Sequence, residues 1–210
     1  IKSIHVTGKV SSVGRYAFSG YTNLKKVVLD DCVTDIEYSA FSDCIGLKEV
    51  KIPVDISSYN RFVNCTNVEK IHYSYGTTGK MFDKAGSNTS YEYYARCLEY
   101  YSQEALTTVI FDEGITSIGS YAFYYCTALT EVKLPSTVQS IGDYAFYFCS
   151  SMPAVQGVPN LQTIGRNAFH GCTGLTSVEL PEGLKSLGEE CFSGCSALAG
   201  EIIIPTTITS

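Results

Sequence analysis

The 210-residue chain is 45% hydrophobic and 17% charged, enough apolar material for a buried core and too much for a disordered tail. Its net charge of −6 argues against a general nucleic-acid binder, which needs a basic surface. No apolar run approaches the ~18 residues of a membrane helix, and three His are too few for a multi-histidine metal or catalytic centre.

In chain order, one unit keeps returning. Phe18 and Phe41 lie 23 residues apart, and so do Phe123, Phe146, Phe169 and Phe192 in succession. Around each Phe the letters follow L-x-x-V-x-L-P-x-x-V-x-x-I-G-x-x-A-F-x-x-C-x-x. Units open at Ile1, Leu24, Leu47, Val68, Leu106, Leu129, Met152 and Leu175, and a truncated one covers 198–210. The third is short, with Phe62 only 15 residues after Leu47 where 17 is usual. The fourth is 15 residues too long and holds an irregular island at 73–105. A fixed period of this length means stacked units, each covering the apolar side of the next, so residues 1–210 read as one solenoid.

The sixth unit shows the physics. Val132 and Leu134 alternate with Lys133, the period of a strand with one wet face. Pro135 ends the strand because it has no N–H for a ladder. Val138 and Ile141 point inward, and Gly142 allows a tight turn. In 143–149, Ala145, Phe146 and Cys149 fall on one helical face, which predicts one or two helical turns. The expected fold is an α/β repeat solenoid: about nine right-handed coils, a parallel sheet on one face, short helical turns on the other. The Phe residues should form a buried, mutually touching column.

The residues "AF..C..L..V.LP..V..IG", nearly intact over 118–135, 141–155 and 164–181, resemble the BspA-like leucine-rich repeats of surface proteins. The likeness covers most of the chain and departs in the third unit and the island. It implies a non-catalytic binding scaffold, cell-surface or secreted, with adhesion to a host, matrix or other surface protein as its role. It brings no catalytic residue, cofactor or metal. No signal-peptide sequence opens the chain, so any export signal is expected to have been removed or to lie outside it.

Six of the nine Cys occupy one repeat position: Cys44, Cys65, Cys126, Cys149, Cys172 and Cys195. They read either as a disulfide ladder or as buried thiols in a small apolar slot. Stacked side chains keep their Cβ atoms near ~4.8 Å, beyond the ~3.8 Å of a bridge, which favours thiols. Cys191 reads as another small core residue; Cys32 and Cys97 have no assigned place. No C-x-x-C, G-x-S-x-G, phosphate loop or H-E-x-x-H occurs. His5, His72 and His170 read as solvated side chains. Sequons stand at Asn64 and Asn88. The island opens as a Gly/Ser/Thr-rich loop and closes with Tyr94, Leu98 and Tyr101 at helical spacing. A decorated repeat is the first reading of it, a hinge the second.

Two surfaces are candidates for binding. Tyr121, Tyr124, Tyr125, Tyr144, Tyr147 and Phe148 cluster in units five and six, where other units carry small polar residues. They suit a protein partner, a second copy in weak self-association, or a carbohydrate-binding or enzyme-associated module stacking sugars. Packing beneath the island helix would explain them without a ligand. The second surface is a basic strip on the sheet face: Lys25, Lys26, Lys48, Lys51, Lys70 and His72, facing only Glu49 and Glu69. It either keeps the sheet soluble or meets an acidic partner, a protein segment or an acidic glycan.

Overall fold

Each coil opens with alternating apolar and polar residues, and the apolar ones turn inward. The computed structural model describes residues 1–56, 60–81, 103–199 and 201–208. Its strands in the first half are β1 (Ser3–Val6), β2 (Ser12–Val13), β3 (Lys26–Leu29), β4 (Asp35–Ile36), β5 (Glu49–Pro53) and β6 (Lys70–Ser74). Those of the second are β7 (Thr108–Phe111), β8 (Ser117–Ile118), β9 (Glu131–Lys133), β10 (Ser140–Ile141), β11 (Ala154–Val155), β12 (Thr163–Ile164), β13 (Ser177–Val178) and β14 (Ser186–Leu187).

Three ladders join the coils. The first is a parallel sheet in the order β1-β3-β5-β6-β7-β9, with Ile4, Val27, Val50, Ile71, Val109 and Val132 in one inward register. The second was not anticipated. Short strands at the V-x-x-I step pair as β2-β4 and as β8-β10-β12-β14, again in parallel. Here Gly142 serves a close approach between coils, since a Cβ on it would lie 2.5 Å from the backbone nitrogen of Ser120.

The third ladder replaces the helical turns that the spacing predicted; among the described residues there is no helix. Residues two before and two after each core Phe have positive φ: Ser39 and Asp43, Asn60 and Asn64, Tyr121 and Tyr125, Asn167 and Gly171 are four such pairs. A helix tolerates no left-handed residue every fourth position, so each coil runs instead through consecutive turns. Alternate N–H groups close those turns, as Ala122 does to Gly119 and Tyr124 to Tyr121. The others reach the next coil: Tyr121 N–H donates to Asp143, Phe123 to Ala145 and Tyr125 to Tyr147, at 2.7–2.8 Å.

The core is the expected one. Phe rings stack from coil to coil with centroids 5.0–5.4 Å apart: Phe18–Phe41, Phe41–Phe62, Phe123–Phe146, Phe146–Phe169 and Phe169–Phe192. Phe18 and Phe192, at its ends, are only partly buried. Tyr73 and Phe111 stand edge-on to Phe123, so aromatic packing continues into the fourth coil. The expected island helix and hinge, Asn88 and Cys97 lie outside the described residues.

Candidate functional site

The aromatic candidates are brought together on the turn side of coils five to seven. Their rings form columns along the stack: Tyr121–Tyr144 at 4.8 Å, Tyr125–Phe148 at 5.1 Å, and Tyr124–Tyr147–His170 at 5.0 Å for each step. Tyr125 is 39% exposed; the other five candidates are half-buried against one another. Burial, with Tyr125, Tyr144 and Glu190 nearby, pushes the Tyr147 hydroxyl above its ordinary pKa. Gln103 donates from its amide to the carbonyl of Tyr124. The island helix thought to cover this cluster lies outside the described residues.

The backbone beneath these rings is unusual. Tyr121, Tyr125, Tyr144 and Phe148 have φ of 58°, 60°, 55° and 56°. Bulky residues rarely adopt this region, at a cost of roughly 1–2 kcal/mol each. Two residues after the core Phe, the other described coils place Gly20, Asp43, Asn64, Gly171 and Gly194, types that accept it readily. A Cβ on Gly171 would lie 2.9 Å from the Phe148 ring, so the ring rests on that glycine.

On the sheet face the basic strip is partly neutralised. Lys26 pairs with Glu49 at 2.9 Å and Lys48 with Glu69 at 2.5 Å, each carboxylate coming from the following coil. The register interleaves the charges, Lys26 opposite Glu49 and Glu49 opposite Lys70. Lys25, Lys51 and Lys70 make no ion pair among the described residues, and Lys51 lies opposite His72. None of the three His is simply solvated. His5 meets Asp30 at 3.1 Å and His72 meets Asp112 at 2.6 Å, while His170 is stacked on Tyr147 with Glu190 at 3.6 Å. The residue after each strand supplied Asp30 and Asp112, a signal present in the sequence and not used.

One polar arrangement was missed altogether. Asp55 accepts bonds from the Thr77 N–H at 2.8 Å, the Thr77 hydroxyl at 2.5 Å and the Thr78 N–H at 2.8 Å. Burial opposes ionisation of Asp55, but these bonds outweigh it and hold its carboxyl below the ordinary value. Asp55 therefore shapes the turn where the fourth coil leaves the repeat pattern.

The cysteines of the described residues are free thiols. The repeat thiols donate to the carbonyl of the preceding coil's Phe: Cys44 to Phe18 at 3.2 Å, and Cys65 to Phe41, Cys149 to Phe123, Cys172 to Phe146 and Cys195 to Phe169 at 3.1 Å. Burial raises the pKa of Cys149 and Cys172, which makes them poor nucleophiles, whereas the hydrogen bond with Cys65 lowers that of Cys44. Among the described residues, no group of three or more His, Cys, Asp or Glu is placed to hold a metal, and no helix is long and apolar enough to cross a membrane.

Comparison with known proteins agrees with this geometry. The family described as BspA type leucine rich repeat region matches in six copies over residues 1–94 and 97–210. A leucine-rich repeat protein from Bacteroides ovatus shares the fold at 23% identity and a TM-score of 0.51, over 94% of this chain and 59% of that one. A leucine rich cell surface protein from Faecalibacterium prausnitzii is 19% identical, over 95% of this chain and 78% of its own, with a TM-score of 0.46. This chain thus spans little more than half the length of the Bacteroides protein. None of the curated proteins matches the sequence.

Proposed function

The chain belongs to the BspA-type leucine-rich repeat family, and on that premise we propose that it is a non-catalytic scaffold binding a protein ligand, at the cell surface or secreted. The observation that carries this reading is how the coil divides its residues. The inward column of the sheet holds Val27, Val50, Ile71 and Val109, all fully buried. The outward column in register beside it runs Ser3, Lys26, Glu49, Lys70, Thr108, Glu131. A surface free to vary over a fixed core is what recognition by a solenoid requires.

Within this reading the sheet face of coils two to four meets an acidic protein segment through Lys25, Lys51 and Lys70, the lysines of the strip that make no ion pair among the described residues. The carbohydrate-binding alternative rests on the clustered tyrosines. Their stacking takes up one face of each ring and both faces of Tyr147, leaving less flat surface for a sugar, which favours the protein reading. The test is binding of a Glu/Asp-rich peptide and of a heparin-like oligosaccharide at low salt. Wild type should bind the peptide, more weakly as salt rises, and K25E/K51E/K70E should lose it. Equal binding by both proteins removes the strip from the interface. Binding of the oligosaccharide alone replaces the protein ligand with an acidic glycan.

A further inference from the structure

We propose that the aromatic columns of coils five to seven are a docking surface for a basic protein segment, one presenting Lys and Arg side chains. This surface is separate from the lysine strip and stands even if that strip binds nothing.

The fold does not ask for these rings. Five of the seven coils with a core Phe meet the left-handed position two residues after it with Gly, Asp or Asn, whereas coils five and six place Tyr125 and Phe148 there. Two residues before the Phe, Tyr121 and Tyr144 are left-handed too, but so are Tyr16 and Glu190 in coils one and eight, so it is the position two after the Phe that sets coils five and six apart. Strained residues persist where the surrounding structure fixes them, and they cluster at ligand-binding sites. At the position directly after the Phe, where the first, second and eighth coils carry Ser19, Ser42 and Ser193, the column Tyr124–Tyr147–His170 completes the patch.

The patch is built for contact with a protein. Its rings are held by one another before any partner arrives, so little side-chain freedom is lost on docking. Tyrosine also offers apolar area and a hydroxyl on one rigid body, the composition of binding hot spots. The margin selects the partner's charge. Asp143 is exposed beside Tyr144, and Glu190 approaches His170 to 3.6 Å. The cation of that margin, Arg166, is held by Glu189 at 3.4 Å. Residues 106–210 carry 3 Lys and Arg against 9 Asp and Glu, so an acidic partner is repelled and a basic one attracted.

The chain contains no Trp, so a peptide carrying one Trp reports its own binding by fluorescence without background. The probes are a short Arg/Lys/Ala peptide with one Trp, its Glu counterpart, and a panel of neutral oligosaccharides. The basic peptide should bind saturably and the Glu peptide should not. Y125G/F148G installs the residue that coils one, seven and eight already carry there, so the fold should survive, checked by its denaturant midpoint. It should weaken the basic peptide by about tenfold or more, the effect of losing a hot-spot aromatic. D143N/E190Q leaves the rings in place and should also weaken it, with a shallower salt dependence. The proposal fails if wild type does not bind the basic peptide or if both variants bind it unchanged. It fails equally if the oligosaccharides bind in the peptide's place, or if sedimentation shows the patch occupied by a second copy.

Discussion

Cys149, Cys172 and their equivalents fill a slot between coils, each thiol reaching the backbone carbonyl of the Phe below. Burial pushes the Cys172 thiol up to about 12 and Cys191 to about 11, and Cys149 is raised well above its ordinary value for the same reason. A folded-state pKa above the unfolded one means the native protein holds protons that the unfolded chain releases. Stability is then complete below pH ~8.5, the free-thiol value, and falls as pH climbs from there toward about 12. The slope reaches ~1.4 kcal/mol per pH unit for each such thiol, and C172A should flatten it in denaturant titrations between pH 8.5 and 10.5. An unchanged slope would mean the thiol is not buried in solution. At the neighbouring core position, F146A should lose ~3–5 kcal/mol, since Phe146 is fully buried between two stacked rings. A loss below ~1 kcal/mol would remove the column from the core. Both positions were legible in the sequence because repetition at 23 residues marks them directly.

At the scale of the element, the strand was legible and the turn segment was not. Ala145, Phe146 and Cys149 share a face in a helix, but consecutive turns with left-handed residues produce the same inward set. The missed signal was Gly20, Asp43, Asn64, Gly171 and Gly194 at one position, residues that a helix interior disfavours. The short β8-β10-β12-β14 ladder escaped because two residues carry no visible alternation. Pro153 has a further consequence at this scale. The N–H groups of Lys48, Glu69, Thr107 and Thr130 each donate to the preceding coil at 2.9–3.0 Å, and Pro153 occupies the next such position without an N–H. The main sheet ends at β9, and β11 pairs only with β13. P153T restores the donor opposite the Thr130 carbonyl. The new bond is worth ~0.5–1.5 kcal/mol, offset by ~0.4–1 kcal/mol of unfolded-chain entropy that Pro had removed. Net stability should barely move, while a protected amide appears at residue 153 in hydrogen exchange. A freely exchanging amide there would show that the main sheet ends at β9 for another reason.

Across the whole molecule the ladders join adjacent coils, and the Gly76 N–H bond to Asp31 at 3.3 Å reaches past one, so stability is close to a sum of nearest-neighbour terms and its weakest junction decides where the stack opens. The junction of coils six and seven keeps the β10–β12 pairing and the Phe146 to Ala168 bond, and lacks the sheet. The second half also carries the whole net charge, −6 over 106–210 against 0 over 1–105, so its carboxylates repel one another at low ionic strength. Both features place the first opening in coils seven and eight. Native-state hydrogen exchange at low salt should show Gly165, Phe169 and Gly188 amides opening before Phe123 and Val109. Raising salt to physiological strength shortens the Debye length to ~8 Å and should narrow that gap by screening, without help from any new contact. P153T should narrow it by the other route, at low salt. If all these amides open together at every salt concentration, the junction is no weaker than its neighbours and the stack unfolds as one unit.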